Sequence, residues 1–165
     1  MVKMGLLPAL SGRYQDQVVT LTFNDCGRFQ DRWVYLKSND ASPSIFTRGI
    51  ERGIYLPIRH GEGKFVTSSQ EILEEIERKN LAVLKYSDPE YLNPTMEFPL
   101  NPNGSMNGIA GICDESGLLM GLMPHPEAFH HRTNHPRWTR EELPEDGDGL
   151  IIFRNAADYV RNHLL

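Results

Sequence analysis

An α/β fold is predicted from three features of the 165-residue chain. Short β-branched and aromatic runs recur at Val18–Phe23, Arg32–Lys37 and Ile54–Ile58, the composition that suits a pleated, half-buried surface. A capped segment with helical spacing begins at Ser68 and leads directly into another apolar run, Leu81–Tyr86, so helix and strand alternate. Further on, Gly108–Cys113 and Leu118–Met123 flank the turn residues Asp114-Glu-Ser-Gly117, the pattern of a hairpin insertion.

Taken in order, the opening Met1–Leu10 reads as the end of an element: Met4, Leu6 and Leu7 run into Gly5, Pro8 and Gly12. Val18–Phe23 and Arg32–Lys37 read as a pair of strands joined through Asn24-Asp-Cys-Gly27. Pro57 lacks an amide donor and moves the Ile54–Ile58 strand toward a sheet edge. Ser68-Ser-Gln-Glu71 has the capping-box spacing, with Ser68 as N-cap and Glu71 three residues on. Ile72, Leu73 and Ile76 then form one stripe, leaving Glu74, Glu75 and Glu77 on a solvated face. Asp88–Gly108 holds four prolines (Pro89, Pro94, Pro99 and Pro102), and a loop this long is expected to be functional or mobile. The last helix is placed by Leu150, Phe153, Ala157, Val160 and Leu164 at steps of three and four, with Asp148 as its cap.

Composition narrows the function. With 17 Lys+Arg against 22 Asp+Glu, the net charge is −5, so no basic field is available to grip phosphate backbones. No apolar run reaches the roughly 20 residues of a membrane span, and the opening stretch is too short for a signal peptide. Two cysteines make no disulfide framework, which fits a reducing cytoplasm. No repeat or Ser/Gly-rich linker divides the chain, so one domain over residues 1–165 is expected.

Chemistry is expected first at His125-Pro126-Glu127, beyond the end of the Leu118–Met123 strand, because sites in open α/β sheets form past strand carboxyl ends. Histidine transfers protons near neutral pH once a partner fixes its tautomer. A carboxylate two residues on in extended chain points to the same side. By itself the tripeptide reads first as a surface loop with an unrelated His and Glu; its place at a strand end brings the catalytic reading level with that one. No nucleophile sits in a suitable elbow: Cys26 is flanked by Asp25 and Arg28, and Cys113 is followed by a turn. His125, His130, His131 and His135 crowd one loop, but their spacing matches no zinc motif. His60-Gly-Glu-Gly63 and Asn101-Pro-Asn-Gly-Ser105 each read as turns that let backbone approach a ligand.

Together these segments become specific. Asn24–Phe29 with Asp31-Arg-Trp-Val34, Leu56–Phe65, Asn101–Ser105 leading into Ile109–Ile112, and Gly121–Glu127 occur in order over nearly the whole chain. The sequence resembles the class I glutamine amidotransferase subunit or domain of phosphoribosylformylglycinamidine synthase. The resemblance implies a flavodoxin-like fold, a mostly parallel sheet flanked by helices with hairpin insertions. It implies a glutaminase in purine biosynthesis that hands ammonia to a synthetase subunit or domain, which uses ATP and Mg²⁺; the amidotransferase domain itself holds no cofactor and no metal. His125 maps to the family's base and Glu127 to its orienting carboxylate, while His60, Gly61, Glu62, Arg28 and Phe29 fall where glutamine is held.

Two departures stand out. The family's nucleophilic cysteine, its oxyanion-hole amides and the first strands of its sheet precede the segments matched here, and Met1–Pro8 resembles the stretch just after that elbow helix. The chain is therefore expected to be an incomplete, C-terminal part of the domain, inactive alone and prone to self-association through its unfinished sheet. Ala128 also replaces the arginine of a His-Pro-Glu-Arg sequence. The alternative reading is a non-catalytic module that docks on the synthetase.

Overall fold

The computed structural model describes residues 1–165. Seven strands and two α-helices build it: β1 Val19–Thr22, β2 Gln30–Ser38, β3 Gly53–His60, β4 Lys64–Thr67, α1 Gln70–Arg78, β5 Ala82–Tyr86, β6 Ile109–Cys113, β7 Met120–Leu122 and α2 Leu150–His163. No helix is long and apolar enough to cross a membrane.

The strands form a five-stranded sheet in the order β3-β2-β5-β6-β7 and a separate ribbon of β1 with β4. Helices and sheet mix as expected of an α/β chain, but every strand pairing is antiparallel, which corrects the mostly parallel sheet. The cause lies in the connections. A parallel neighbour requires a crossover back onto the same sheet, and α1 instead carries the chain from the ribbon (β4) to the large sheet (β5). β1 and β2 are both strands but do not pair with each other; β1 bonds β4, and β2 lies between β3 and β5. The β6–β7 hairpin forms as expected, and Pro57 lies in β3, at the sheet edge.

The core contains 23 buried residues, among them Val34, Leu36, Ile54, Leu56 and Ile58 of the sheet and Leu73 and Ile76 of α1. Leu7 and Leu10 from the opening segment also belong to it, each such side chain contributing about 1.5–3 kcal/mol by leaving water. Gly5 ends the first short turn with φ 66, where a side chain would be strained and would strike the backbone of Gln15.

Three local expectations need correction. The N-cap of α1 is Ser69, whose hydroxyl accepts from the Ile72 amide at 3.4 Å, one residue later than the capping-box spacing suggested. Glu75 and Glu77 are half-buried: Glu77 binds the Lys85 ammonium at 2.6 and 2.8 Å, and Glu75 binds Lys79 at 2.8 Å. In α2 the apolar residues Phe153 and Val160 point outward, 44% and 42% exposed, while Ile152 enters the core. The spacing was helical, but Ile151 and Ile152 compete for the same role and tertiary packing chose their face.

Candidate active site

The site is held by a buried polar knot rather than by a helix. Asn24, just past β1, donates through Nδ2 to the carbonyls of Arg28 and His60, both at 2.8 Å. Its Oδ1 accepts from the Gly63 amide at 3.2 Å and meets His60 Nδ1 at 3.1 Å. An amide oxygen only accepts, so Nδ1 of His60 carries the proton and Nε2 is left as a lone-pair nitrogen. That Nε2 is buried and unpartnered. Burial, together with repulsion from His125 nearby, pulls the His60 pKa below its ordinary value, which keeps the ring neutral.

Gly63 is required here. A Cβ at this position would lie 2.2–2.6 Å from three atoms of the His60 ring. The Asn101–Ser105 loop braces the same turn. Asn103 Nδ2 donates to the Gly63 carbonyl at 2.8 Å and to the Tyr86 hydroxyl at 2.9 Å. Ser105 Oγ accepts from the Phe65 amide at 2.9 Å, and Asn101 Oδ1 accepts from the amides of Gly104 and Ser105. These three side chains are no more than 2% exposed. The Asn101–Ser105 end of the Asp88–Gly108 loop is thus a packed scaffold, because buried amides that satisfy one another fix a loop as firmly as a ladder does.

His125 follows β7. Its amide donates to the Pro57 carbonyl at 2.8 Å, tying the segment to β3. Pro126 opens a short 3-10 turn that brings Glu127 back toward the ring. His125 Nδ1 and Glu127 Oε1 are 2.6 Å apart, a short, charge-assisted contact. With the carboxylate accepting from Nδ1–H, Nε2 is the free nitrogen, and the imidazole is 36% exposed. Nε2 has no hydrogen-bond partner within the chain.

Of the sequence-predicted glutamine-holding residues, His60 and Gly61 lie at the knot, and the Phe29 ring stands 4.0 Å from where a Gly61 Cβ would be. Arg28 joins through its carbonyl. Glu62 is exposed and lies 4.0 Å from Lys3, away from the knot. The four loop histidines do not converge: His130 bonds the Glu127 carbonyl, His131 caps the turn at Thr133, and His135 packs on Trp33. No three His, Cys, Asp or Glu side chains gather to hold a metal.

Neither thiol serves His125, whose ring has Glu127 as its only hydrogen-bond partner. Cys26 Sγ accepts from Gln30 Nε2 at 3.1 Å, and buried Cys113, its pKa pushed up to about 11 by desolvation, lies 3.7 Å from Ser42 Oγ. Residues missed in the sequence are Asn24, Asn103 and Tyr86. The first two looked like turn formers, and only the juxtaposition of two loops reveals their roles.

A family model described as the CobB/CobQ-like glutamine amidotransferase domain matches residues 1–160. The chain belongs to that family. Within it, the chain is 46% identical over 162 residues to the phosphoribosylformylglycinamidine synthase subunit PurQ of Dehalococcoides mccartyi, covering 98% of this chain and 60% of that protein. The human phosphoribosylformylglycinamidine synthase is 43% identical over 147 residues, which are 85% of this chain and 10% of the human protein. The solved structure of PurLQS from Thermotoga maritima superposes with TM-score 0.57 at 30% identity, covering 86% of this chain and 52% of that one. This amidotransferase chain thus spans about 60% of the length of the PurQ relatives it matches.

Proposed function

We propose that this chain supplies the proton-transfer half of a glutaminase centre in a phosphoribosylformylglycinamidine synthase of purine biosynthesis, working in the cytoplasm. The observation that carries the reading is the 2.6 Å contact between His125 Nδ1 and Glu127 Oε1. Glu127 holds the imidazole in the tautomer that leaves Nε2 basic. Nε2 takes the proton of a thiol as the sulfur attacks the side-chain amide carbon of glutamine. It then returns that proton to the departing nitrogen, releasing ammonia and leaving a thioester for water to hydrolyse. The turn His60–Gly63 and the Phe29 ring form the wall on which glutamine rests. The ammonia passes to a synthetase partner that uses ATP and Mg²⁺.

The thiol in this scheme comes from outside the 165 residues, because both cysteines are engaged elsewhere. A depression of about 400 Å³ beside the β7 end supports that placement: Leu21, Phe65, Ile109, Ile112 and Leu122 line it, giving an apolar seat for further polypeptide. The test mixes this chain with the part of the Dehalococcoides mccartyi relative that it does not match, and measures ammonia release from glutamine. Release is expected from the mixture and not from the chain alone, and His125→Ala should abolish it. Ammonia from the pure chain, or a mixture indifferent to His125→Ala, overturns the reading.

A further inference from the structure

The outer face of β2 and β3 carries aromatic side chains that the amidotransferase chemistry does not use. Tyr35 and Tyr55 are directly opposed across the two strands, with ring centroids 4.6 Å apart. Tyr91 stands edge-on to Tyr35 at 5.6 Å, and His135 lies 5.8 Å from Tyr55. Between these rings and the 129–148 segment is a cavity of about 240 Å³, whose wall also takes in Phe129, Arg137, Glu141, Asp146 and Asp148.

The charges around it do not cancel. Arg137 is paired with Glu141 at 2.6 Å, and Arg154 is paired with Asp146. His135 is buried and its Nδ1 accepts from the Arg137 amide, so that nitrogen carries no proton and the ring is neutral. Asp148 is left over. It is half-buried, takes one hydrogen bond from the Tyr55 amide at 2.8 Å, and has no cationic group within 4.0 Å. A carboxylate withdrawn from water without a counter-charge is costly, and aromatic faces beside it attract cations.

We propose that this cavity is a binding site for an organic cation, an ammonium or guanidinium group, with Asp148 as the counter-charge and Tyr35, Tyr55 and Tyr91 as the walls. A hard metal ion is a poor fit: Glu141 and Asp146 are each paired with an arginine, and no three carboxylate or imidazole side chains converge to give such an ion its several oxygens. The site is independent of the glutaminase reading. The same headgroup is carried by a free amine and by an Arg or Lys side chain of a partner polypeptide, and the probes below separate the two sources.

The test uses the full chain with Trp138→Phe, which leaves Trp33 as the only tryptophan, 5.2 Å from the rings of Tyr55 and His135. Agmatine is expected to change Trp33 fluorescence saturably, whereas butylurea, uncharged and of similar shape, should not. Asp148→Asn keeps an oxygen for the Tyr55 amide and should weaken agmatine by about tenfold or more. If that variant does not fold, Tyr35→Leu is the substitute, expected to weaken binding several-fold. Acetyl-Gly-Arg-Gly-amide binding as well as agmatine assigns the site to a polypeptide side chain; its failure while agmatine binds assigns it to a small amine. No saturable response, equal response to butylurea, or unchanged affinity in the variant overturns the proposal.

Discussion

Asn24 joins the β1–β4 ribbon to the β2–β3 edge of the large sheet, two pairings that no backbone ladder connects. Its side chain satisfies two carbonyls and an amide and fixes the His60 tautomer. Truncating it strands several buried groups at once, so Asn24→Ala is expected to lower stability by about 3 kcal/mol in urea unfolding. Gly63→Ala forces a methyl into the His60 ring and is expected to cost at least about 2 kcal/mol. Unchanged stability in either variant would show that the knot does not hold this turn. His60 also sets a pH dependence. Its folded pKa is depressed by burial, so the unfolded chain binds the proton more readily. Stability is therefore whole above the unfolded value of about 6.5 and falls as acid drives pH through the window below it. His135, depressed for the same reason, adds to the fall; Asp148, whose pKa burial raises, opposes it in the carboxylate range, since protonation there relieves an unpaired charge. NMR titration should place the His60 imidazole below 6.5; a value at or above that would contradict the assignment. His125 and Glu127 were expected to face each other across extended chain; they do meet, but through the 3-10 turn that Pro126 opens. Asn24 and Asn103 were not legible in the sequence, since nothing local distinguishes an asparagine that forms a turn from one that also bonds a loop 40 residues away.

At the scale of single elements, caps and faces were the least legible features. Ser68 and Ser69 both suit an N-cap, and Glu71 three residues after Ser68 favoured the wrong one. The hydroxyl of Ser69 instead reaches the Ile72 amide and lowers the pKa of Glu71 by hydrogen bonding. Ser69→Ala should therefore cost about 1 kcal/mol, while Ser68→Ala should stay within about 0.5 kcal/mol. The reverse order would restore the sequence-based cap. The same contest decides α2. Its period was readable, but neighbouring Ile151, Ile152 and Phe153 offered more than one apolar face. Ile152→Ala is expected to cost about 3 kcal/mol through the cavity it leaves, and Phe153→Ser almost nothing; thermal melts of the two variants separate the faces. Asp148 illustrates why position alone misleads. It stands where a cap would, yet its carboxylate turns to the Tyr55 amide of β3, because that amide lies at a sheet edge with no strand beyond it.

For the whole molecule the decisive fact is the antiparallel sheet that ends at β7. The strand segments themselves were visible as β-branched and aromatic runs, but their direction depends on which connection returns to which sheet, and no residue pattern carries that. β7 has three residues and one neighbour, so its outer edge offers unpaired backbone groups, and the depression beside it is lined chiefly by apolar side chains. Covering that surface is favourable by roughly 25 cal/mol for each Å² of apolar area removed from water. Under the proposed function two occupants would compete: a polypeptide that brings the thiol, and a second copy of this chain. Without the first, mass action favours the second, so sedimentation should show association that grows with concentration. Leu122→Lys places a charge on both the edge strand and the depression, and should return the chain to a monomer while leaving the His125–Glu127 pair intact. Adding the thiol-bearing segment to the unmodified chain should do the same by occupying the site, giving one heterodimer in place of the larger species. A chain that stays monomeric at every accessible concentration would mean that this face is stable in water, and the case for a docked partner there would fail with it.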